Sequence, residues 1–225
     1  MRAIGISSSG RKSAYSKIIV RDILEESKVE YEMIHLAKLN IKGCLGCLKC
    51  AGNNICVQPD DFQEVINKII QADALVFGGA NYYGTLNAIG HAFWERTFAL
   101  RHRETFPLAG KLGIAVGLDR NNDTREATRF IEKMMLSNKM AVIASFTDPG
   151  NYQCYDCGYG HDCAVGNVYP HMGLCTAEDA EKNRPVEYGD EARKQAKTIG
   201  KILGSILNSR QWFQCLRTYF TNLIP

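Results

Sequence analysis

Ala74-Leu75-Val76-Phe77-Gly78-Gly79 is an unbroken apolar run closed by glycines, the pattern of a strand buried on both faces of a parallel sheet. Working outward, Ala3 to Ile6, Tyr31 to Leu36, Lys111 to Gly117 and Ala141 to Phe146 read as four further strands. Helical stripes alternate with them. Tyr15, Ile18, Ile19 and Ile23 form one, and Phe62, Val65, Ile66, Ile69 and Ile70 form a second within a helix from about 60 to 72. Ala88 to Phe98 supplies a third, and Ala127, Phe130, Ile131, Met134 and Met135 a fourth. Asp60 with Gln63, and Asp123 with Glu126, resemble capping boxes. Strand and helix in alternation predict an α/β fold with a five-stranded parallel sheet covered on both faces.

The expected organisation is an α/β domain over 1–146, an irregular Cys-rich insert over 147–189 and a helical segment over 190–225 that completes the domain. The insert loses periodicity and gains glycine, proline and cysteine, as a functional loop or small subdomain would. Ala192, Ala196, Ile199, Leu203, Ile206 and Leu207 then restore a helical stripe.

The 225 residues are enough to bury one sizeable core, and 45% hydrophobic with 23% charged residues is an ordinary globular composition. No eighteen-residue apolar stretch occurs, which argues against a membrane span. The start, Met1-Arg2-Ala3-Ile4-Gly5-Ile6-Ser7, is too short an apolar run for an export signal, so a soluble cytoplasmic protein is expected. With 27 basic and 24 acidic side chains and no polybasic run, neither nucleic acid nor an anionic membrane is expected as a partner. Nine cysteines are the departure from the average, and in a reducing compartment clustered thiols point to metal or redox chemistry.

Three segments stand where such a fold binds ligands. Ser7-Ser8-Ser9-Gly10-Arg11-Lys12-Ser13-Ala14-Tyr15-Ser16 joins strand one to helix one, where backbone N–H groups and the helix dipole favour an anion. It has neither the Walker A order nor G-x-G-x-x-G, so a monophosphate suits it better than a triphosphate or a dinucleotide; a solvated turn is the simpler alternative. Asn81-Tyr82-Tyr83-Gly84-Thr85 follows strand three at the ligand-binding edge of the sheet, where tyrosines either cover a flat ring or merely pack.

The sharpest signal is Cys44-x2-Cys47-x2-Cys50-x5-Cys56, inside a loop over 43–58. Three cysteines at two-residue gaps and a fourth five residues on resemble ferredoxin runs, with a [4Fe–4S] cluster expected ahead of zinc or free structural thiols. A second set, Cys154-x2-Cys157-x5-Cys163-x11-Cys175, lies in the insert near His161 and His171. Its spacing matches no common cluster run, so zinc, a second cluster, redox thiols and packing all stay open. Cys215 reads as a buried small hydrophobe.

These three segments, in this order, resemble the iron-sulfur flavoprotein branch of the NADPH-dependent FMN reductase family over about residues 2–118. Cys56-Val57-Gln58-Pro59-Asp60-Asp61-Phe62 and Ala92-Phe93-Trp94-Glu95-Arg96-Thr97 are similar to further patterns of that family. The resemblance implies a flavodoxin-like three-layer sandwich. It implies that Ser7, Ser9, Arg11, Ser13, Tyr15 and Ser16 hold the FMN phosphate, that Asn81, Tyr82, Tyr83, Gly84 and Thr85 line the isoalloxazine, and that Cys44, Cys47, Cys50 and Cys56 carry the cluster. Asp119-Arg120-Asn121-Asn122 follows strand four where members commonly have glycines, which places Asp119 with the cofactor-binding residues, at the flavin's solvent side or a nicotinamide site.

The implied function is electron transfer between a one-electron carrier such as ferredoxin and a small-molecule acceptor through the cluster and FMN, in a homodimer or homotetramer. NAD(P)H is a candidate donor, and no side-chain acid or base is required. Two alternatives are an NAD(P)H-dependent FMN or quinone-type reductase without a redox cluster, and a redox- or metal-sensing module.

Overall fold

The computed structural model describes residues 1–11, 14–120, 124–150, 153–184 and 188–222. Its central sheet carries β1 (Arg2–Ser7), β2 (Glu30–His35), β3 (Ala74–Tyr82), β5 (Leu112–Leu118) and β6 (Ala141–Asp148), all parallel in the order β2-β1-β3-β5-β6. A short β4 (Thr85–Leu86) pairs antiparallel with the end of β3. The five parallel strands match the expected number. The chain order reverses between β1 and β3, which makes their carboxyl ends the topological switch point.

Alternation along the strands divides the core into two layers. Ile4, Ile6, Leu75, Phe77 and Ala115 face α2 (Phe62–Gln71), α3 (Ala88–Arg96) and α4 (Glu126–Ser137). Ala3, Ala74, Val76, Leu112, Ile114 and Val116 face α1 (Tyr15–Ser27), α8 (Asp190–Asn208) and α9 (Arg210–Thr221). The three-layer sandwich follows from the period-two pattern of β1, β3 and β5. Lys111 secures the end of α2, its Nζ donating to Ile70 O at 2.7 Å and Ala72 O at 2.6 Å. Between α8 and α1 the backbones nearly touch, for a Cβ on Gly200 would stand 2.5 Å from Ile23 O and one on Gly204 would run into Ser27 O. Gly204→Ala is therefore expected to destabilise the protein by about 2 kcal/mol in urea unfolding. Helix propensity alone would give the opposite sign, because alanine is favoured over glycine inside a helix by about 1 kcal/mol.

Three expectations are corrected. The Asp60–Gln63 box does not form, because Asp60 is engaged by Arg96 and Gln63 Nε2 donates to Asn67 Oδ1 at 3.0 Å. Asp123 lies outside the described residues, and the N–H groups at the start of α4 are held by Asp119. Asn81 and Tyr82 extend β3, so the expected loop shrinks to the hairpin turn Tyr83-Gly84. The helix from Ala88 ends at Arg96, and a 3-10 turn covers Thr97–Leu100.

The insert contains short pieces only: α5 (Gln153–Asp156), a 3-10 turn over Gly160–Asp162, α6 (Tyr169–Met172) and α7 (Ala177–Lys182). No helix among the described residues is long and apolar enough to cross a membrane.

Candidate functional site

A cavity of about 450 Å³ opens at the carboxyl ends of β1 and β3. Ser9, Arg11 and Tyr15 line it from the first loop, and Asn81, Tyr82 and Tyr83 from the β3–β4 hairpin. Its floor is the start of α1, whose N-terminus has no side-chain cap and whose first turn carries no acidic residue. That leaves the helix end suited to an anion, with the Arg11 guanidinium beside it. Ser7 and Ser16 lie beneath the wall, buried with their hydroxyls 3.1 Å apart. Ser13 lies outside the described residues.

The first loop is held in place from below. Ser8 N donates to Gly78 O at 2.9 Å, Ser8 Oγ to Asn87 Oδ1 at 2.6 Å, and Asn87 Nδ2 returns to Ser8 O at 2.8 Å. Gly79 leaves room for this brace, since a Cβ there would stand 2.6 Å from Ser8 Oγ.

The hairpin turn is built on positive φ, 53° at Tyr83 and 80° at Gly84, as a type I′ turn requires. Tyr83 is held so that its ring is fully exposed, and Tyr82 is half-exposed. Asn81 sets the turn: its Oδ1 accepts from Gly84 N at 2.9 Å, and its Nδ2 donates to Asp119 Oδ1 at 2.9 Å and Glu126 Oε2 at 2.7 Å. Gly84 and Thr85 shape the hairpin, while the cavity wall is formed by the residues before them. Asp119 is not at the cavity surface. It is fully buried, with Oδ1 taken by Asn81 and Ala127 N (2.8 Å) and Oδ2 by Thr128 N (3.2 Å) and Thr128 Oγ1 (2.9 Å). Its lone pairs are used by the start of α4 and by the hairpin, so it supports the site from behind.

Cys44, Cys47, Cys50 and Cys56 line a separate hollow with Arg96 and Phe98. Positive φ at Gly46, Leu48 and Asn54 folds the loop tightly enough to bring them there. Gln58 Nε2 donates to Gly43 O at 3.1 Å and closes the loop's ends. The base is a buried ion pair. Arg96 donates to Asp60 Oδ2 at 2.6 Å, Asp60 Oδ1 at 3.0 Å and Lys42 O at 3.0 Å, while Asp60 accepts from Lys42 N and Phe62 N. Burial pushes the Asp60 carboxyl up, but the Arg96 guanidinium and the two N–H groups outweigh it and hold the carboxyl below its ordinary range. Glu95 accepts from Cys44 N at 3.4 Å, and Asp61 from Asn40 N at 2.7 Å. The Cys-Val-x-x-Asp-Asp and Phe-x-Glu-Arg-Thr segments thus form one clamp on the cysteine loop.

The hollow suits an anionic, sulfur-rich occupant. Burial pushes the Cys50 thiol up, and the neighbouring Cys56, Cys44 and Cys47 push it further, so four thiolates need added positive charge to coexist. Arg96 lines the hollow beside Cys56, whose sulfur interacts with the guanidinium, and its buried Nε makes no other hydrogen bond among the described residues. Cys50 Sγ also sits 3.2 Å from His102 Nε2. Among the described residues no three Cys, His, Asp or Glu side chains converge on a single metal position, at either cysteine set.

Leu118, Arg120, Pro149, Gly150, Gln153 and Asn167 complete the cavity wall. Arg11 Nη2 donates to Gln153 Oε1 at 3.1 Å and Arg11 Nη1 lies 3.9 Å from Asp156, so the insert packs over the first loop. Of these wall residues only Arg120 had a sequence signal, its place just after strand four. Cys154, Cys163 and Cys175 are half-buried and Cys157 is exposed. Cys215 is exposed on α9, which corrects the expectation of a buried residue.

Residues 1–148 match the family model described as NADPH-dependent FMN reductase. The chain belongs to this family. Within the FMN reductase family it falls in the iron-sulfur flavoprotein branch, being 31% identical over 188 residues to an iron-sulfur flavoprotein of Methanocaldococcus jannaschii, a match covering 81% of this chain and 94% of the relative. An iron-sulfur flavoprotein of Methanosarcina thermophila is 30% identical over 148 residues, covering 64% and 77%. In fold, this FMN reductase family member is similar to an archaeal flavodoxin, with TM-score 0.52 and 13% identity over 92% of this chain and 99% of that one. It is also similar to an NADH:FMN oxidoreductase, with TM-score 0.55 and 12% identity over 93% and 91%. The fold is flavodoxin-like, and the chain is a flavin-dependent oxidoreductase.

Proposed function

We propose that the protein is an electron-transfer flavoprotein that binds FMN in the β1/β3 cavity and a [4Fe–4S] cluster on Cys44, Cys47, Cys50 and Cys56, linking a ferredoxin-like carrier to a small-molecule acceptor. The observation that carries this is the gathering of all four cysteines into one hollow, with the Arg96 guanidinium in its wall beside Cys56, in a chain whose relatives are iron-sulfur flavoproteins. When bound, FMN supplies one- and two-electron chemistry and the cluster one-electron chemistry. Ser9, Arg11 and Tyr15 with the α1 N-terminus receive the phosphate, and Ser7 and Ser16 back that wall. Tyr82 and Tyr83 would offer aromatic faces to the flavin ring, beside the 83–85 hairpin backbone. Asn81 and Asp119 keep that hairpin rigid. Arg96, in the wall beside Cys56, would offset negative charge in the cysteine hollow. The two sites share no wall residue, which favours a homo-oligomer in which the cysteine hollow of one subunit approaches the cavity of another.

Anaerobic purification with iron, sulfide, zinc and FMN quantitation tests this reading. About one FMN per chain is expected, and Cys47→Ser should lower iron by about four per chain while leaving FMN bound. Zinc in place of iron, lost in Cys47→Ser, would overturn the electron-carrier reading in favour of a reductase working by flavin alone.

A further inference from the structure

Cys50 differs from its three neighbours in the cysteine loop. Its side chain is buried, whereas Cys44 and Cys47 are exposed and Cys56 is half-buried. Its sulfur also meets an imidazole: His102 Nε2, fifty-two residues away in sequence, lies 3.2 Å from Cys50 Sγ. His102 is not among the residues that line the hollow. It stands behind Cys50 and reaches the site through that sulfur.

The imidazole is pinned where it stands. After α3 the chain makes the 3-10 turn Thr97–Leu100, and left-handed φ of 53° at Arg103 and 60° at Glu104 then folds the chain back onto the cysteine loop. Two successive residues with side chains are costly in that region and persist where their surroundings fix them. Here the fixing groups are in the cysteine loop itself. His102 N donates to Asn54 Oδ1 at 2.9 Å, and Arg103 Nη1 reaches Gly52 O at 3.4 Å, which ties the segment to the loop just after Cys50. The His102 ring packs edge-on to Phe98, with centroids 4.9 Å apart, and Phe98 is part of the hollow's wall. These contacts are separate from the Asp60–Arg96 pair that clamps the loop's base.

We propose that His102 is a positioning residue that donates its Nε2–H to Cys50 Sγ and thereby raises the reduction potential of the group held by the four cysteines. The role rests on those cysteines carrying an iron–sulfur cluster. A metal-bound thiolate has no proton of its own, so of the two partners only the imidazole has a hydrogen to give. Each electron received from a one-electron carrier adds one negative charge to the hollow, with no proton transferred and no bond broken. A donor aimed at sulfur interacts more strongly as that sulfur gains negative charge, so the hydrogen bond favours the reduced state. Burial of Cys50 adds to this, because a hydrogen bond is electrostatically stronger where water is largely excluded.

The test is an anaerobic redox titration of the full-length protein as wild type, His102→Phe and His102→Gln, with iron and FMN quantified in each. His102→Phe keeps a ring against Phe98 and removes the donor, while His102→Gln removes the ring and keeps an N–H of similar reach. In His102→Phe the equilibrium constant for one-electron reduction of the cluster should fall about tenfold, a midpoint about 59 mV lower, with iron content and the FMN midpoint unchanged. His102→Gln should return the cluster midpoint most of the way to wild type, which a packing role would not do. An unchanged cluster midpoint in His102→Phe overturns the proposal, as does a midpoint in His102→Gln as low as that of His102→Phe. If His102→Phe purifies without iron, iron retained by His102→Gln supports the donor role, and iron lost from both variants overturns it. A wild type without iron overturns the proposal together with the cluster reading, whereas iron present with an unmoved midpoint overturns the proposal alone.

Discussion

Arg96→Met is expected to lower the free energy of unfolding by about 3–5 kcal/mol, the cost of leaving one partner of a buried pair unmatched. Asp60 and Arg96 side chains are 2% and 1% exposed, so bulk solvent does not reach the carboxylate. The loss spreads beyond the pair. Arg96 also ties down Lys42 O and lies 4.7 Å over the Phe62 ring, so its removal frees both ends of the cysteine loop from α3. Urea unfolding of the metal-free proteins measures the clamp alone, where Cys47→Ser should keep wild-type stability and Arg96→Met should not; in the purified proteins the iron content of Arg96→Met should fall with its stability. Asp60→Asn keeps one acceptor for Arg96 but leaves its guanidinium buried without a counter-charge, so a loss in the same range is expected. The pair also sets an acid limit. Since folding lowers the Asp60 pKa, the stabilisation is fully present above the ordinary carboxylate value near 3.9 and is lost as pH falls through the lower folded value. Arg96→Met should therefore flatten the acid side of a stability profile between about pH 2 and 5.

Where the structure followed the sequence and where it did not has a physical pattern. Ala74 to Gly79 announced a doubly buried strand because both faces are covered by helices, and Ile4, Ile6, Ala3 and Gly5 alternate between the two layers as a parallel strand should. The four cysteines of 44–56 were legible as a group because their spacing is short enough for one loop to carry all four into the same hollow. Asp119 was misplaced for the opposite reason. An acid just after a strand at the ligand edge looks the same in sequence whether it faces solvent or turns back to cap the next helix. The Asp60–Gln63 capping box failed similarly, for Asp60 had a stronger partner in Arg96, distant in sequence. Asn81-Tyr82-Tyr83-Gly84 read as a loop because tyrosine in the left-handed region is rare, and it is tolerated here because Asn81 fixes the turn from inside. Asn87, Gln153 and Asn167 gave no signal at all. Each acts through backbone or side-chain partners that only the folded chain brings near.

Asp119→Ala provides the sharpest distinction between a residue that touches the cofactor and one that holds its site. The carboxylate receives four hydrogen bonds from Asn81, Ala127 and Thr128, three of them from groups at the start of α4. Its removal leaves buried N–H groups unpaired and takes a negative charge from a helix N-terminus, a loss of about 3 kcal/mol. Asn81 is then held by Glu126 alone, at the rim of the cavity, and the Tyr83-Gly84 turn loses its fixed support. FMN affinity should drop about tenfold, equivalent to about 1.4 kcal/mol. Fluorescence titration of apoprotein with FMN and urea unfolding measure the two effects. Asp119→Asn separates the explanations: its remaining oxygen still accepts from Asn81 and Ala127 while its amide faces the Thr128 donors, so stability should fall by about 1 kcal/mol with FMN affinity nearly kept. If affinity instead falls equally in both variants while stability is unchanged, Asp119 contacts the flavin itself. The expected result ties the two losses together, because the same carboxylate that caps α4 also aims the hairpin.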